Sequence, residues 1–217
     1  MKSTGNRHDD DGLLDRAVGT FRRLGYPGAT MAILAEDADS TKPTLYAHFG
    51  GKEDLYVRAF AREIDRLKAV LFTTYADAES FGMREAVEAD MLAFFDYART
   101  FPDSFHLIFS EEPRPATAAA LREIMIEQLI QKITGQIRRR LQSGGADVLG
   151  RSAEVLASLL VGIAIRGGRI AVDTGLAPAA LGDLVVSLVS DGLFGLTYEP
   201  LRRIDEATND DVEERDE

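Results

Sequence analysis

From Leu13 to Phe194 the apolar residues return every three or four positions, and nowhere do they alternate over a useful length. That spacing puts side chains on one face of a helix, whereas a half-buried strand needs a period of two. The chain must therefore bury helical stripes against other helices, which predicts an all-α fold of about nine helices. Leu13, Leu14, Ala17, Val18, Phe21 and Leu24 form the first stripe, closed by Gly25 and by turn chemistry at Tyr26-Pro27-Gly28-Ala29. Thr30 is placed to cap a very short helix through Asp37, with Met31, Ile33, Leu34 and Ala38 available for burial. After a tight turn at Ala38-Asp39-Ser40, Thr41 can cap a third helix with Pro43 in its first turn and Gly50-Gly51 at its end.

Longer helices follow. Lys52 opens one to about residue 76, with Leu55, Tyr56, Ala59, Phe60, Ile64, Leu67, Val70 and Leu71 on one face. Met83 to Arg99, Phe105 to Phe109, Thr117 to about Gln142, Ser152 to Val172 and Pro178 to Phe194 complete the set. The expected division is a three-helix domain at residues 11–51 with a helix-turn-helix at about 30–49, a larger helical domain at 52–200, and flexible ends at 1–10 and 201–217.

Composition removes whole classes of chemistry. The 217 residues include no cysteine and three scattered histidines, His8, His48 and His106. Disulfides, thiolate metal sites, a cysteine nucleophile and a local three-histidine zinc site are therefore excluded, and no metal or cofactor is expected. No phosphate-cradling glycine loop, dinucleotide fingerprint or nucleophile elbow is present, so an enzyme is not expected. The longest apolar run, Ala157 to Ile165, contains Ser158 and stops at Arg166, which reads as a core helix and not a membrane span. The N-terminus has no secretory pattern, so a cytoplasmic protein without a membrane partner is expected.

The formal net charge is −11, from 25 basic and 36 acidic residues, and duplex DNA repels a chain that is acidic overall. The distribution matters more than the sum. Residues 205–217 hold eight acids and one base, whereas residues 41–52 hold Lys42, His48 and Lys52 and no acid. Three short helices with a three-residue turn before the third make a helix-turn-helix, whose last helix can enter the major groove. On that helix Thr41, Lys42, Thr44, Tyr46 and His48 are donors, while Leu45 and Phe49, four apart, form the buried stripe. Lys52 at the start of a helix opposes the dipole unless an anion bridges it and the free backbone N–H groups. A DNA phosphate is such an anion, and a solvated surface lysine is the other reading.

The segment Thr41-Lys42-Pro43-Thr44-Leu45-Tyr46-Ala47-His48-Phe49, followed by Gly51-Lys52-Glu53-Asp54-Leu55, resembles the TetR family of transcriptional regulators. The resemblance runs back through Phe21-Arg22-Arg23-Leu24-Gly25-Tyr26, Thr30-Met31 and Ile33-Leu34-Ala35-Glu36-Asp37-Ala38. It implies that Thr30 sits near a phosphate, that Thr41, Lys42, Pro43 and Thr44 meet bases or backbone, and that Tyr46, His48 and Lys52 hold phosphates. Two residues depart from the family pattern: Asp39 stands where such turns have glycine, and Ser40 where an apolar residue tucks under the reading helix. Aspartate tolerates left-handed geometry, so the turn is expected to survive with an added negative charge.

One reading head spans few base pairs, so two copies on a palindromic operator are expected. The candidate dimer surface is the last two helices, with Leu159, Ile163, Arg166, Leu181, Leu184, Val185 and Leu188. Gly162, Ala164, Gly167, Gly168 and Ala171 would permit close approach, and the resemblance implies a four-helix bundle there. Arg166 and Arg169 with Asp173, Asp183 and Asp191 read equally as intersubunit ion pairs or as solvated rim charges. Met91, Phe94, Phe95, Phe101, Phe105, His106, Phe109 and Met125 suit an apolar ligand with His106 as its polar contact, although such stripes also serve as plain core. The expected function is a ligand-responsive regulator, foremost a homodimeric repressor released from its double-stranded operator by a small apolar or amphipathic effector through the linking helix 52–76. An activator of the same fold, or a helical adaptor or sensor without DNA affinity, is the alternative.

Overall fold

The computed structural model describes residues 4–77, 82–143, 151–175, 178–195 and 203–204. These residues form nine helices: α1 Thr4–Gly28, α2 Met31–Asp37, α3 Lys42–Phe49, α4 Lys52–Asp77, α5 Met83–Thr100, α6 Pro102–Phe109, α7 Ala116–Ser143, α8 Ser152–Thr174 and α9 Pro178–Gly195. Among the described residues no strand is present, as the periodicity requires.

Inside α1, Gly25 adopts φ 66° and ψ 167°, so the backbone breaks where the sequence places a stop, and the Ala29 N–H bonds back to the Gly25 carbonyl at 3.2 Å. The positive φ is what calls for glycine there. At the other end α1 starts at Thr4, so residues 4–10, expected as a flexible end, are helical. Once the stripe from Leu13 is packed, extending the helix backward adds hydrogen bonds without a new nucleation cost. Of the expected tail at 201–217, only Arg203 and Ile204 are described. The short helix read at Phe105 starts earlier, at Pro102, because proline suits a first helical turn.

Contacts divide the chain into two compact units, one made of the described residues up to Val70 with Tyr97–Ile124, the other of Leu71–Asp96 with those from Met125 onward. This division differs from a boundary at residue 51: α6 and the start of α7 stand with the N-terminal helices. The reason is the buried face of α6, with Phe105, Leu107, Ile108 and Phe109, and its packing on α1.

In the first unit Leu13, Leu14, Ala17, Val18 and Phe21 of α1 are buried, as are Leu55, Tyr56, Ala59, Phe60, Ile64 and Leu67 of α4. The Phe21 and Tyr56 rings meet edge to face at 4.8 Å. Arg114 closes the end of α6 by donating to the carbonyls of Leu107 (3.2 Å), Ile108 (2.9 Å) and Ser110, with its guanidinium 5.6 Å from the Phe60 ring. Burial lowers the Arg114 pKa from the ordinary arginine value. Glu63 is fully buried and paired: Arg62 donates to its carboxylate at 2.7 and 3.0 Å, and Arg66 at 2.9 Å. Arg62 also reaches Asp15 at 2.6 Å and the Asp11 carbonyl at 2.8 Å, tying α4 to α1. The Tyr97 hydroxyl donates to the Glu63 carbonyl at 3.4 Å. Burial first, and the nearby Glu63 charge second, raise its pKa, so the phenol stays protonated and can donate.

In the second unit α8 packs on α9. Ala164, Gly167, Gly168 and Ala171, expected to let another helix approach, are buried within the chain itself. A Cβ on Gly167 would lie 2.9 Å from the Phe95 ring, and one on Gly182 would lie 3.8 Å from the same ring, so these glycines admit an aromatic side chain of α5. By length and composition alone α8 is apolar enough to cross a membrane, which the shorter run Ala157 to Ile165 did not reveal.

Leu45→Ala, which empties a fully buried site on α3, is expected to lower the unfolding free energy by about 2–5 kcal/mol. Glu63→Gln, which weakens buried charge-assisted hydrogen bonds, is expected to cost about 1–3 kcal/mol. Urea melts check both, and an unchanged midpoint in either variant contradicts the packing described.

Candidate nucleic-acid interface

The helix-turn-helix is built from two capped helices. Thr30 Oγ1 accepts from the Ile33 N–H at 3.3 Å and starts α2. Thr41 Oγ1 accepts from the Thr44 N–H at 3.3 Å, lies 2.8 Å from Thr44 Oγ1 and starts α3. α3 packs on α2, and its buried side chains are Leu45 and Phe49. Thr41, Lys42 and Pro43 are exposed, Thr44 is half-buried and Tyr46 is 52 % exposed, while none of the eight residues of α3 is acidic.

The turn between α2 and α3 survives without its glycine. Asp39 takes φ 48°, the left-handed region that aspartate tolerates, and the Ser40 N–H bonds to the Ala35 carbonyl at 2.9 Å. The added charge is met locally, because Arg16 of α1 pairs with the Asp39 carboxylate at 2.5 Å. Asp37 accepts from Thr20 Oγ1 at 2.5 Å and pairs with Arg23. These partners are legible only after folding, since they stand 14 to 23 positions away in sequence.

His48 and Lys52 are engaged by the protein. His48 Nδ1 lies 2.5 Å from Asp10 Oδ1, which leaves the Nε2 edge of the ring for another partner. Arg58, which sequence reasoning did not single out, donates to the His48 carbonyl at 3.3 Å and lies 5.6 Å from the Phe49 ring. The anion expected beside Lys52 is replaced by the chain's own carbonyls. Its ammonium donates to Tyr26 O and Ala29 O, both at 3.0 Å, and sits 4.3 Å from the Tyr26 ring centre. These contacts offset the unfavourable helix dipole without a phosphate, and an ammonium with three donors keeps one N–H.

The residues expected round an apolar ligand fall in both units. Met91 and Phe94 line a cleft in the second unit with Asp90, Ile133, Leu160 and neighbouring apolar residues. Phe95 and Met125 are buried core residues of that unit. Phe101, Phe105, His106 and Phe109 belong to the first unit, where the Phe105 and Phe109 rings lie 4.8 Å apart and His106 Nε2 lies 3.3 Å from a Glu112 oxygen. The polar residues that line the cleft are Asp90 and Gln136, which sequence reasoning passed over. A signal was present: Asp90 shares the apolar face of Val87, Met91 and Phe94, and Gln136 that of Leu129, Ile133 and Ile137.

Of the residues expected at a dimer surface, Leu159, Leu184 and Leu188 are 60 %, 65 % and 66 % exposed, and Arg166 is exposed. Ile163 and Leu181 are half-buried. Val185 is buried, 3.8 Å from where a Gly167 Cβ would stand, so it serves the packing of α8 on α9 within one chain. Asp191 pairs with Arg84 of α5 at 3.3 Å.

Residues 13–59 match the family model described as bacterial regulatory proteins, tetR family. The transcriptional activator FasR of Mycolicibacterium smegmatis is 34 % identical over 116 residues, 51 % of this chain and 50 % of that protein. The transcriptional repressor ComR of Escherichia coli is 34 % identical over 87 residues, 40 % of this chain and 39 % of that protein. The matched segments thus span half or less of these two relatives. A solved structure of AibR in complex with isovaleryl coenzyme A and operator DNA superposes with a TM-score of 0.67 at 18 % identity, over 83 % of this chain and 97 % of that one. The capped helix-turn-helix and the match across residues 13–59 make the N-terminal part of this chain similar to bacterial regulatory proteins of the tetR family, and its all-helical fold resembles that of the solved regulator.

Proposed function

We propose that the chain is a cytoplasmic, homodimeric repressor that binds a palindromic DNA operator through α3 and releases it when a small apolar or amphipathic effector occupies the helical domain. The observation that carries this reading is the outer face of α3. In a chain of net charge −11, an eight-residue helix keeps Leu45 and Phe49 inside, holds Lys42 and Tyr46 in solvent and has no acid of its own. Thr41, Lys42, Pro43 and Thr44 would meet base edges or backbone. Thr30, Tyr46, the Nε2 edge of His48 and the remaining N–H of Lys52 would hold phosphates. FasR is named an activator and ComR a repressor, so likeness to these two does not set the sign of regulation. The solved complex of AibR with isovaleryl coenzyme A and operator DNA supports this reading.

Two copies would meet through the exposed leucines of α8 and α9, where Leu184 and Leu188 stand four apart on one helical face. α4 runs from the first unit into the second, so an effector that favours one arrangement of α4 would shift the spacing of the two reading heads.

Fluorescence-polarisation titration against the DNA upstream of its own gene is expected to show binding that weakens steeply with salt. Lys42→Ala should weaken it at least about tenfold and lower the salt slope by about one, and Tyr46→Ala should weaken it similarly with stability within about 0.5 kcal/mol of the parent. Salt-insensitive or sequence-blind binding would count against the reading. Leu184→Glu combined with Leu188→Glu is expected to yield a monomer in analytical ultracentrifugation with lost operator affinity; a double variant that stays dimeric would move the interface elsewhere.

A further inference from the structure

The early start of α1 sets an acid of that helix against α3. Asp10 stands 38 positions before His48, yet its Oδ1 lies 2.5 Å from His48 Nδ1, and the two side chains are 25 % and 17 % exposed. We propose that Asp10 is a positioning residue for operator recognition: it directs His48 Nε2 away from α1 and holds the ring as imidazolium when a DNA phosphate arrives, so that binding takes up a proton at His48. The inference rests on the DNA-binding function proposed above and makes a proton part of that recognition.

The donors and acceptors of imidazole decide the chemistry. An ionised carboxylate only accepts, so Nδ1 must carry a hydrogen to face Asp10 at that distance. In a neutral ring the other nitrogen then bears a lone pair, and His48 Nε2 turns an acceptor toward the duplex. That lone pair and the Asp10 charge would both repel a phosphate. A second proton, on Nε2, reverses this: the imidazolium donates to Asp10 on one side and to a phosphate oxygen on the other. Imidazole is the side chain that changes charge near neutral pH, so solvent can supply that proton. Other charged groups reach this corner from α4 and α2. Arg58 of α4 donates to the His48 main-chain carbonyl at 3.3 Å, which leaves the ring nitrogens untouched, and an Asp54 oxygen would lie 3.0 Å from a Cβ on Gly50, just past the end of α3. Asp11 of α1 faces Arg62 at 3.8 Å, and Asp37 of α2 is engaged by Thr20 and Arg23.

Isothermal titration calorimetry of the full chain with the duplex upstream of its own gene, repeated in buffers of different ionisation enthalpy from about pH 6.5 to about pH 8.5, counts the protons taken up. The parent chain is expected to take up as much as about one proton per copy. Because the complex then holds more protons than the free partners, affinity should rise as pH falls, at least about threefold across that range. His48→Gln should remove this uptake. Asp10→Asn, whose amide oxygen can still accept from Nδ1, should shift the uptake to lower pH, and Asp10→Glu should bring it back. No uptake at any pH, uptake that persists in His48→Gln, or uptake in Asp10→Asn that follows the parent's pH course overturns the inference. Salt-sensitive, sequence-selective binding without proton uptake leaves the proposed function standing and sinks this inference alone, whereas absence of binding to the upstream DNA sinks both.

Discussion

Two side chains four residues apart, Leu45 and Phe49, hold α3 in place. A helix of eight residues does not stand alone in water, because nucleation costs more than so few hydrogen bonds return. It exists here because those side chains are buried, because Thr41 caps its start, and because Gly50 at φ 80° turns the chain out at its end. With the inward face reduced to two residues, Lys42, Pro43, Tyr46 and Ala47 of α3 stay exposed. Lys52 completes the frame by fastening the start of α4 to the carbonyls of Tyr26 and Ala29 at the end of α1.

An acidic chain can present such a face because its charges are settled locally. Asp39 and Asp37, the acids nearest the turn before α3, are matched by Arg16 and Arg23. Exposed pairs of this kind add little stability, since solvent screens them. Their effect is on the local field, which an approaching phosphate feels within a Debye length of about 10 Å at 0.1 M salt. Net charge, a property of the whole chain, therefore says little about what this one surface can bind.

Local order was legible in the sequence wherever one residue decides one geometry. Gly25 breaks α1, Thr30 and Thr41 cap α2 and α3, and the stripes from Leu13 and Leu55 are buried as their spacing requires. Partners that tertiary packing brings together were not legible. Lys52 read as waiting for an anion because its carbonyl acceptors lie 23 and 26 residues upstream. The small residues of α8 suit a neighbouring helix as well as they suit the Phe95 ring that occupies them, and composition cannot choose between the two. His106 drew attention as a lone polar group among aromatics and is met by Glu112, while Asp90 and Gln136 were hidden in plain view on apolar faces.

The central claim is that the polar face of α3 enters the groove of duplex DNA. Ultraviolet cross-linking of the full chain to its upstream DNA carrying 5-iodouracil at thymine positions, followed by peptide mapping, tests this most directly. The account predicts cross-links within residues 41–48, lost when unlabelled DNA of the same sequence competes. Cross-links confined to residues beyond 82, or the same pattern with unrelated DNA, would contradict it.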